Sequence, residues 1–271
     1  MWGFLYNTPM EFCTLYSGST GNCTYIKIGG EEILVDVGRP VKDIISSLEA
    51  IDRDISNISK IFITHEHTDH IKSLGALLRK FKINTYLSAG TYNALRGRLG
   101  NINEALVHTF EYGDELCFGK LKIKPIPIPH DAAMPVCYKF MCGKESCLVA
   151  TDIGYVTPQM EEDIYGADIA LLESNHDVTM LKNGEYPIFL QERILGKRGH
   201  LSNKTASDIA VKMIEKGTKH LVLGHISRKN NEPEIARRQT LENLLENGII
   251  HGEDCHILVA KPDEPCEMIC V

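Results

Sequence analysis

Short apolar runs alternate with stretches of helical periodicity along most of the chain. Residues 60–63 read Lys-Ile-Phe-Ile, a β-branched and aromatic run that predicts a buried strand. The stretch that follows places apolar side chains at positions 71, 74, 77, 78 and 81, the period of a helix. The same reading predicts further strands at 12–16, 23–28, 32–37, 84–87, 114–118, 121–128, 135–142, 145–150, 168–172, 220–223 and 255–260. It predicts further helices at 41–50, 90–99, 159–165, 203–216 and 233–246, with Thr91 and either Ser202 or Asn203 as caps.

This alternation predicts an α/β fold in which two mixed β-sheets pack face to face with helices outside, an αββα sandwich. Candidate chemistry recurs where predicted strands end, which is where α/β sheets place their sites. Residues 178–200 are the least regular part of the chain. The length of 271 residues suits one domain over residues 10–271, and residues 1–9 are expected to be an N-terminal extension.

One motif carries most of the chemical information: residues 65–70 read His-Glu-His-Thr-Asp-His, at the end of the predicted strand 60–63. His65 and His67 can point the same way from an extended loop, whereas Asp69 and His70 open the next helix. Four ligand-type side chains in six residues exceed what one tetrahedral ion needs, so the spacing predicts two neighbouring metal ions. The alternative, crowding for solubility, would cost repulsion and desolvation with no compensating cation.

Composition restricts where the protein works and what it binds. The net charge of −7 means that any contact with nucleic acid must depend on local basic patches and bound cations. No apolar run of about eighteen residues is present, so no membrane span is expected. Residues 1–9 lack the features of a signal peptide. The nine cysteines are scattered and odd in number, which favours reduced thiols and a cytoplasmic location.

Two further segments admit two interpretations each. The Gly/Ser loop 17–22 is either an ordinary turn or a set of small residues that hold a phosphate. The basic group Arg193, Lys197 and Arg198 is either a solvated face or a phosphate contact beside His200.

Together, the motifs resemble those of the metallo-β-lactamase-fold hydrolases, and more closely those of the YycJ (WalJ) group of small nuclease-like members. The likeness spans most of the chain, and the His65–His70 motif is its most specific part. The other motifs are Ser-Gly-Ser-Thr-Gly-Asn at 17–22, Pro-His-Asp-Ala-Ala at 129–133, Thr-Asp-Ile-Gly at 151–154, Glu-Ser-Asn-His-Asp at 173–177, Gly-His-Leu-Ser-Asn at 199–203 and Gly-His-Ile-Ser-Arg at 224–228.

The resemblance implies roles for individual residues. It implies that one ion is held by His65, His67 and His130, the other by Asp69, His70 and His225, with Asp152 bridging the two. Imidazole and carboxylate ligands suit zinc or manganese, and iron as well. Beyond the ligands, the expected roles are catalysis for Asp69, His200 and His176; substrate binding for Ser17, Ser19, Asn22, Arg193, Lys197, Arg198 and Arg228; and support of the ligands for Asp36 and Glu173.

The expected activity is hydrolysis of phosphodiesters by two divalent ions, in a 5′–3′ exonuclease that acts on nucleic-acid 5′ ends. DNA is favoured over RNA as the substrate, no membrane partner is expected, and the oligomeric state stays open. The alternative is a small-molecule hydrolase that resembles the PhnP cyclic phosphodiesterases. A metal-binding regulator without turnover is a third possibility, against which the full ligand set argues.

Overall fold

The computed structural model describes residues 9–271. The strands over these residues are β1 (Glu11–Tyr16), β2 (Cys23–Ile28), β3 (Glu31–Val35), β4 (Ile58–Phe62), β5 (Asn84–Ser88), β6 (Val107–Phe110), β7 (Leu116–Phe118), β8 (Leu121–Pro127), β9 (Val136–Cys142), β10 (Glu145–Ala150), β11 (Ile169–Glu173), β12 (His220–Gly224), β13 (His256–Val259) and β14 (Ile269–Cys270). The α-helices are α1 (Val41–Glu49), α2 (Thr68–Ile71), α3 (Leu74–Phe81), α4 (Ala89–Leu95), α5 (Pro158–Ile164), α6 (Val178–Asn183), α7 (Ile188–Leu195), α8 (Asn203–Glu215) and α9 (Pro233–Glu246).

The strands form two seven-stranded mixed sheets. The first has the order β14-β1-β2-β3-β4-β5-β6, and the second has the order β13-β12-β11-β10-β9-β8-β7. Strands β3 to β6 run parallel in the first sheet, as do β10 to β13 in the second. The remaining pairings are antiparallel.

Alternating side chains along each strand build separate cores on the two faces of a sheet. Ile169 and Leu171 of β11 join a core shared by both sheets, whereas Ala170 and Leu172 face the core beneath the helices. Because both faces are covered, β11 is buried along its whole length, and its residues are apolar up to Glu173. A third core lies between the outer face of the first sheet and its helices. The two-sheet, helix-flanked architecture predicted from the sequence is thereby confirmed.

Local details differ from the sequence reading. Strand β6 lies where none is predicted, and residues 178–200 hold the two short helices α6 and α7. The N-cap of α4 is Ser88 rather than Thr91, because the Ser88 hydroxyl accepts from the Thr91 backbone N–H. Ser202 caps α8 through the N–H of Thr205. The predicted helix at 71–80 is divided between α2 and α3.

Three general expectations concern the chain as a whole. All nine cysteines carry free thiols. None of the helices in the described part of the chain has the length and hydropathy that a membrane crossing needs. The predicted extension 1–9 lies outside the described residues except for Pro9, so the division into an extension and a domain over 10–271 stays a prediction.

Parallel strands of both sheets end at the candidate chemistry. Asp36 follows β3 and the His65–His70 loop follows β4 in the first sheet. In the second sheet Asp152 follows β10, Glu173 ends β11 and His225 follows β12. The carboxyl ends of these strands therefore bring residues distant in sequence to one place.

Candidate metal centre and active site

The loop after β4 is held by one buried carboxylate. Asp36 Oδ1 accepts from the Thr64 backbone N–H at 2.9 Å, and Asp36 Oδ2 accepts from the Thr64 hydroxyl at 2.9 Å. His70 Nδ1 lies 2.8 Å from Asp36 Oδ2. A carboxylate only accepts, so His70 Nδ1 donates to Asp36, and Nε2 is on the side of the ring that faces Asp152. The expected supporting role of Asp36 is consistent with this geometry.

A glycine lets the supporting strand and the metal loop approach each other. A Cβ atom on Gly38 would lie only 1.6 Å from the carbonyl oxygen of Asp69. The backbone around it is paired with the loop, because Val37 N donates to His70 O at 2.8 Å. Any larger residue at position 38 would push α2 away from Asp36.

Three imidazole rings converge in the site, two from the loop after β4 and one from the loop after β8. His65 Nε2 and His130 Nε2 lie 3.0 and 3.4 Å from His67 Nδ1. The Thr64 hydroxyl lies 3.0 Å from His65 Nδ1, which leaves Nε2 directed at the other rings. Burial and the neighbouring imidazoles hold the pKa of His65 well below its usual value. Imidazole nitrogens that converge in this way can bind a cation.

Asp152 lies between these three imidazoles and a second set of candidate ligands that includes His225. Its Oδ2 is 3.3 Å from His70 Nε2, and its Oδ1 is 3.3 Å from His225 Nε2 and 3.8 Å from His130 Nε2. Burial raises the pKa of Asp152, but His225 and the other surrounding histidines outweigh burial and hold the pKa well below its usual value. Both Asp152 and His225 have positive φ angles, of 61° and 53°. Such backbone strain is concentrated at functional sites.

The donor set fits divalent metal binding. Asp152 Oδ2 is buried and accepts no hydrogen bond of acceptable geometry from any of residues 9–271, even though His70 Nε2 is near. An ionised, buried and unsatisfied carboxylate oxygen is costly unless a cation compensates it. The candidate ligand atoms fall into three overlapping groups, and within each group the atoms lie within 4.8 Å of one another. The groups are His65, His67 and His130; His65, His70 and Asp152; and Asp152, Glu173, His200 and His225.

Asp69 stands at the margin of this cluster. It belongs to none of the three groups, although its Oδ2 lies 3.5 Å from His70 Nε2. Burial raises the pKa of Asp69, and the charge and hydrogen bond of His70 outweigh burial and lower it. Asp69 is thus an ionised carboxylate beside His70.

Two residues of the Gly/Ser loop 17–22 contact candidate metal ligands. Ser17 is buried, and its hydroxyl accepts from the His225 backbone N–H at 2.7 Å. The Asn22 carboxamide lies between two ligands, with Nδ2 3.0 Å from His70 Nε2 and Oδ1 3.2 Å from His225 Nδ1. Ser19, in contrast, is exposed. The structure therefore places Ser17 and Asn22 against candidate metal ligands, whereas the sequence analysis expected them to bind the substrate.

His200 and Glu173 form a pair next to Asp152. His200 Nδ1 lies 2.7 Å from Glu173 Oε1 and 3.8 Å from Asp152 Oδ1. Burial lowers the pKa of His200, but the charge and hydrogen bond of Glu173 outweigh burial and raise it to about 9. The His200 side chain remains 20% exposed, so a protonated ring reaches the site surface. Glu173 supports His200 rather than an imidazole of the His65–His70 motif.

His176 is separated from solvent and from hydrogen-bond partners. It is 1% exposed, and neither ring nitrogen has a partner within the described residues. Burial lowers its pKa to about 4, so the ring is neutral at ordinary pH. Its position does not support the catalytic role expected from the sequence.

The predicted phosphate contacts lie on two sides of the site. Arg193 of α7 pairs with Asp131, and its Nε is 2.6 Å from Asp131 Oδ2. Arg198 Nε donates to the His130 carbonyl at 3.1 Å. Lys197 and Arg198 both line a groove beside His130. Arg228 lies on the other side, where it pairs with Asp263 at 2.6 Å and donates to the Thr20 hydroxyl.

Comparison with known proteins agrees with this geometry. The sequence profile of the metallo-beta-lactamase superfamily matches residues 16–225. The chain is 37% identical over 259 residues to the exodeoxyribonuclease YycJ of Bacillus anthracis, an alignment that covers 96% of this chain and 98% of the relative. It is 36% identical over 255 residues to the exodeoxyribonuclease WalJ of Streptococcus pneumoniae serotype 2 strain D39, covering 93% and 95%. The chain therefore belongs to the metallo-β-lactamase superfamily and, within it, to the group of YycJ- and WalJ-like proteins.

A solved structure shows the same fold at much lower identity. The metallo-beta-lactamase fold protein YhfI from Bacillus subtilis superimposes with a TM-score of 0.69 at 14% identity, covering 96% of this chain and 99% of that one. The fold and the family expected from the sequence are both confirmed.

Proposed function

We propose that the protein is a metal-dependent exodeoxyribonuclease that hydrolyses phosphodiester bonds from the 5′ ends of DNA. The observation that carries the proposal is Asp152, an ionised and unsatisfied carboxylate set between His70, His130 and His225. Its support is the name of the YycJ and WalJ relatives, both of which are exodeoxyribonucleases. A cytoplasmic location fits the nine free thiols.

The proposed centre holds two divalent ions, zinc or manganese, with iron as a third possibility. One ion would be held by His65, His67 and His130, and the other by Asp69, His70 and His225, with Asp152 shared. When bound, such ions lower the pKa of water and neutralise the charge of the phosphodiester oxygens. Asp69 also belongs to the proposed reacting centre, since its carboxylate borders the second group.

The chain's own residues supply the remaining chemistry. Glu173 fixes Nδ1 of His200, so Nε2 of the same ring can donate a proton to the departing nucleotide oxygen. A nucleotide alkoxide is a poor leaving group, and it needs this proton. Asp36 keeps His70 in the tautomer that offers Nε2 to a cation. Ser19 and Arg228, on the loop side of the site, remain proposed contacts to DNA.

The test is a panel assay with purified protein in Mn²⁺, Zn²⁺ or Mg²⁺. Its substrates are labelled single- and double-stranded DNA and RNA, with and without a 5′-phosphate. We expect mononucleotides to be released from DNA 5′ ends, with slower release from RNA. Asp152→Ala should abolish the activity, whereas the exposed control Asp208→Ala should keep it.

Two results would contradict the proposal. Endonucleolytic or 3′-end products would exclude 5′ polarity. Hydrolysis of bis(p-nitrophenyl) phosphate or of cyclic phosphodiesters, with no cleavage of any nucleic acid, would favour the small-molecule alternative.

A further inference from the structure

A groove opens beside the candidate metal ligand His130, and two tyrosines contribute to its walls. Tyr112 and Tyr155 line it together with Lys197 and Arg198. The two tyrosines are 47% and 43% exposed, although each carries a large aromatic ring. Tyr112 is held in place because its hydroxyl donates to the Pro135 carbonyl at 3.3 Å. Aromatic rings left half-exposed next to a catalytic centre are available for contact with a substrate.

The two cations of the groove are not neutralised. No carboxylate lies within 4.0 Å of the Lys197 ammonium or the Arg198 guanidinium among residues 9–271. Arg193 and Arg228, in contrast, each pair with an aspartate. The nearby Glu66 accepts from Ala133 N through Oε1 at 2.8 Å, and its Oε2 is buried without a hydrogen-bond partner among residues 9–271. Of the four predicted basic contacts, Lys197 and Arg198 are therefore the two best prepared for an anion.

We propose that this groove binds an unpaired nucleotide of the strand under hydrolysis, with its base on the rings of Tyr112 and Tyr155. Its phosphate would lie against Lys197 and Arg198. The inference rests on the proposed nuclease function and adds a substrate form to it: a frayed or single-stranded end. A base stacked within a duplex has no free face for an aromatic ring, whereas an unpaired base has two. Stacking accepts every base, which suits an enzyme that degrades DNA without regard to sequence.

Fluorescence of 2-aminopurine tests the contact without turnover. The probe is a 5′-phosphorylated single strand with phosphorothioate linkages and 2-aminopurine at the second or third nucleotide. Binding to the wild-type protein should quench the fluorescence, because the base stacks on tyrosine. A blunt duplex with the same label should show little quenching. Absence of quenching at both labelled positions of the single strand would overturn the inference.

Paired variants separate the ring from the rest of the side chain. Tyr112→Leu and Tyr155→Leu should each weaken single-strand binding by roughly 5- to 100-fold and reduce the quenching. Tyr112→Phe and Tyr155→Phe retain the ring and should bind within about threefold of wild type. Thermal midpoint and metal content establish that each variant is folded and loaded. Equal binding by the Leu and Phe variants would overturn the stacking contact.

The charged half of the groove has its own comparison. Lys197→Gln and Arg198→Gln should lower the affinity for single strands and flatten its dependence on salt. Lys122, an exposed lysine at the start of β8, provides the control Lys122→Gln. Failure of this inference is distinguishable from failure of the proposed function. If the wild type is an exonuclease and the Tyr→Leu variants bind single strands and quench as it does, only the proposed base contact in the groove is refuted. Absence of DNA cleavage, combined with the expected quenching, would refute only the exonuclease.

Discussion

Glu173 Oε1 lies 2.7 Å from His200 Nδ1, and the other oxygen of the same carboxylate holds two backbone groups. Oε2 accepts from Ile153 N at 2.8 Å and from Leu201 N at 3.1 Å. One fully buried carboxylate thus fixes the loop that carries Asp152 and the ring of His200 together. Because both oxygens of the carboxylate have hydrogen-bond partners, it can position His200 relative to the candidate metal site.

The first prediction concerns the proton that His200 is proposed to supply. His200→Ala should keep the fold and the metal content but reduce turnover on a nucleotide leaving group by roughly 10²–10⁴. With bis(p-nitrophenyl) phosphate, whose p-nitrophenolate leaves without a proton, the loss should be much smaller. The measurement is kcat on both substrates. A uniform loss across leaving groups, or a loss of metal, would instead make His200 a binding or structural residue.

As a second test of the same role of His200, replacing its partner Glu173 should change the pH profile of kcat. The Glu173 carboxylate raises the pKa of His200 to about 9, so Glu173→Gln should lower it. A protonated ring is the acid, and activity is lost as the pH rises through its pKa. The alkaline limb of kcat should therefore move to lower pH in Glu173→Gln. An unchanged alkaline limb would show that His200 does not govern it.

The second prediction separates two serines of one loop. Ser17 accepts from the backbone N–H of His225, whereas Ser19 is exposed. Ser17→Ala leaves that buried N–H without its partner, so we expect metal affinity to fall by roughly 10- to 100-fold. Ser19→Ala should leave metal affinity unchanged. Competition with a fluorescent chelator measures the affinity, and equal values for the two variants would contradict a supporting role for Ser17.

The third prediction is that removing metal destabilises the fold. Without a cation, the histidine rings compensate the Asp152 charge only in part, because its buried Oδ2 has no hydrogen-bond partner among residues 9–271. Chelation should therefore lower the thermal midpoint, and adding Zn²⁺ or Mn²⁺ should restore it in a concentration-dependent way. At a metal concentration 100 times the Kd, stabilisation of about 2.7 kcal/mol per site is expected. Asp152→Ala should lose most of this response, measured by calorimetry.

The sequence predicts the second-sheet strands well, and it makes the candidate ligand motifs visible, because both depend on local patterns. Strand β11 begins with four apolar residues in a row, Ile169 to Leu172, and the His65–His70 motif is contiguous. The supporting contacts are not visible in this way, because they join residues far apart in the chain. Ser17 and His225 are 208 positions apart, and nothing in a Gly/Ser loop indicates which backbone N–H its hydroxyl will meet.

The groove beside His130 was also beyond the reach of pattern reading. Tyr112 and Tyr155 stand in separate loops with no shared motif, and tyrosine is as common in cores as on surfaces. Ion pairing is equally hidden: Arg193 and Arg198 look alike in sequence, yet only Arg193 meets a carboxylate. For short helices such as α6 and α7, a few residues give too little periodicity for recognition.

The last prediction uses His176, whose burial lowers its pKa to about 4. Because this value is below that of an unfolded histidine, near ~6.5, the unfolded state binds the proton more readily. His176 therefore favours the fold above pH of about 6.5 and opposes it progressively as the pH falls toward 4. At pH 5 the wild type should have lost about 2 kcal/mol of stability through this one ring.

His176→Leu removes the titration while filling the same buried space, and it breaks no hydrogen bond because neither ring nitrogen has a partner among residues 9–271. Because buried ring nitrogens without partners are costly, the variant should be at least as stable as the wild type at pH 7.5, and its advantage should grow by about 2 kcal/mol at pH 5. Urea unfolding at both pH values, in the presence of a chelator, measures the difference. The acid sensitivity of the ligand histidines is common to both proteins and cancels in the comparison. His108→Gln, at a histidine hydrogen-bonded to Asn84 near the surface, should follow the wild type. A variant that loses stability in parallel with the wild type would show that His176 is not buried in its neutral form.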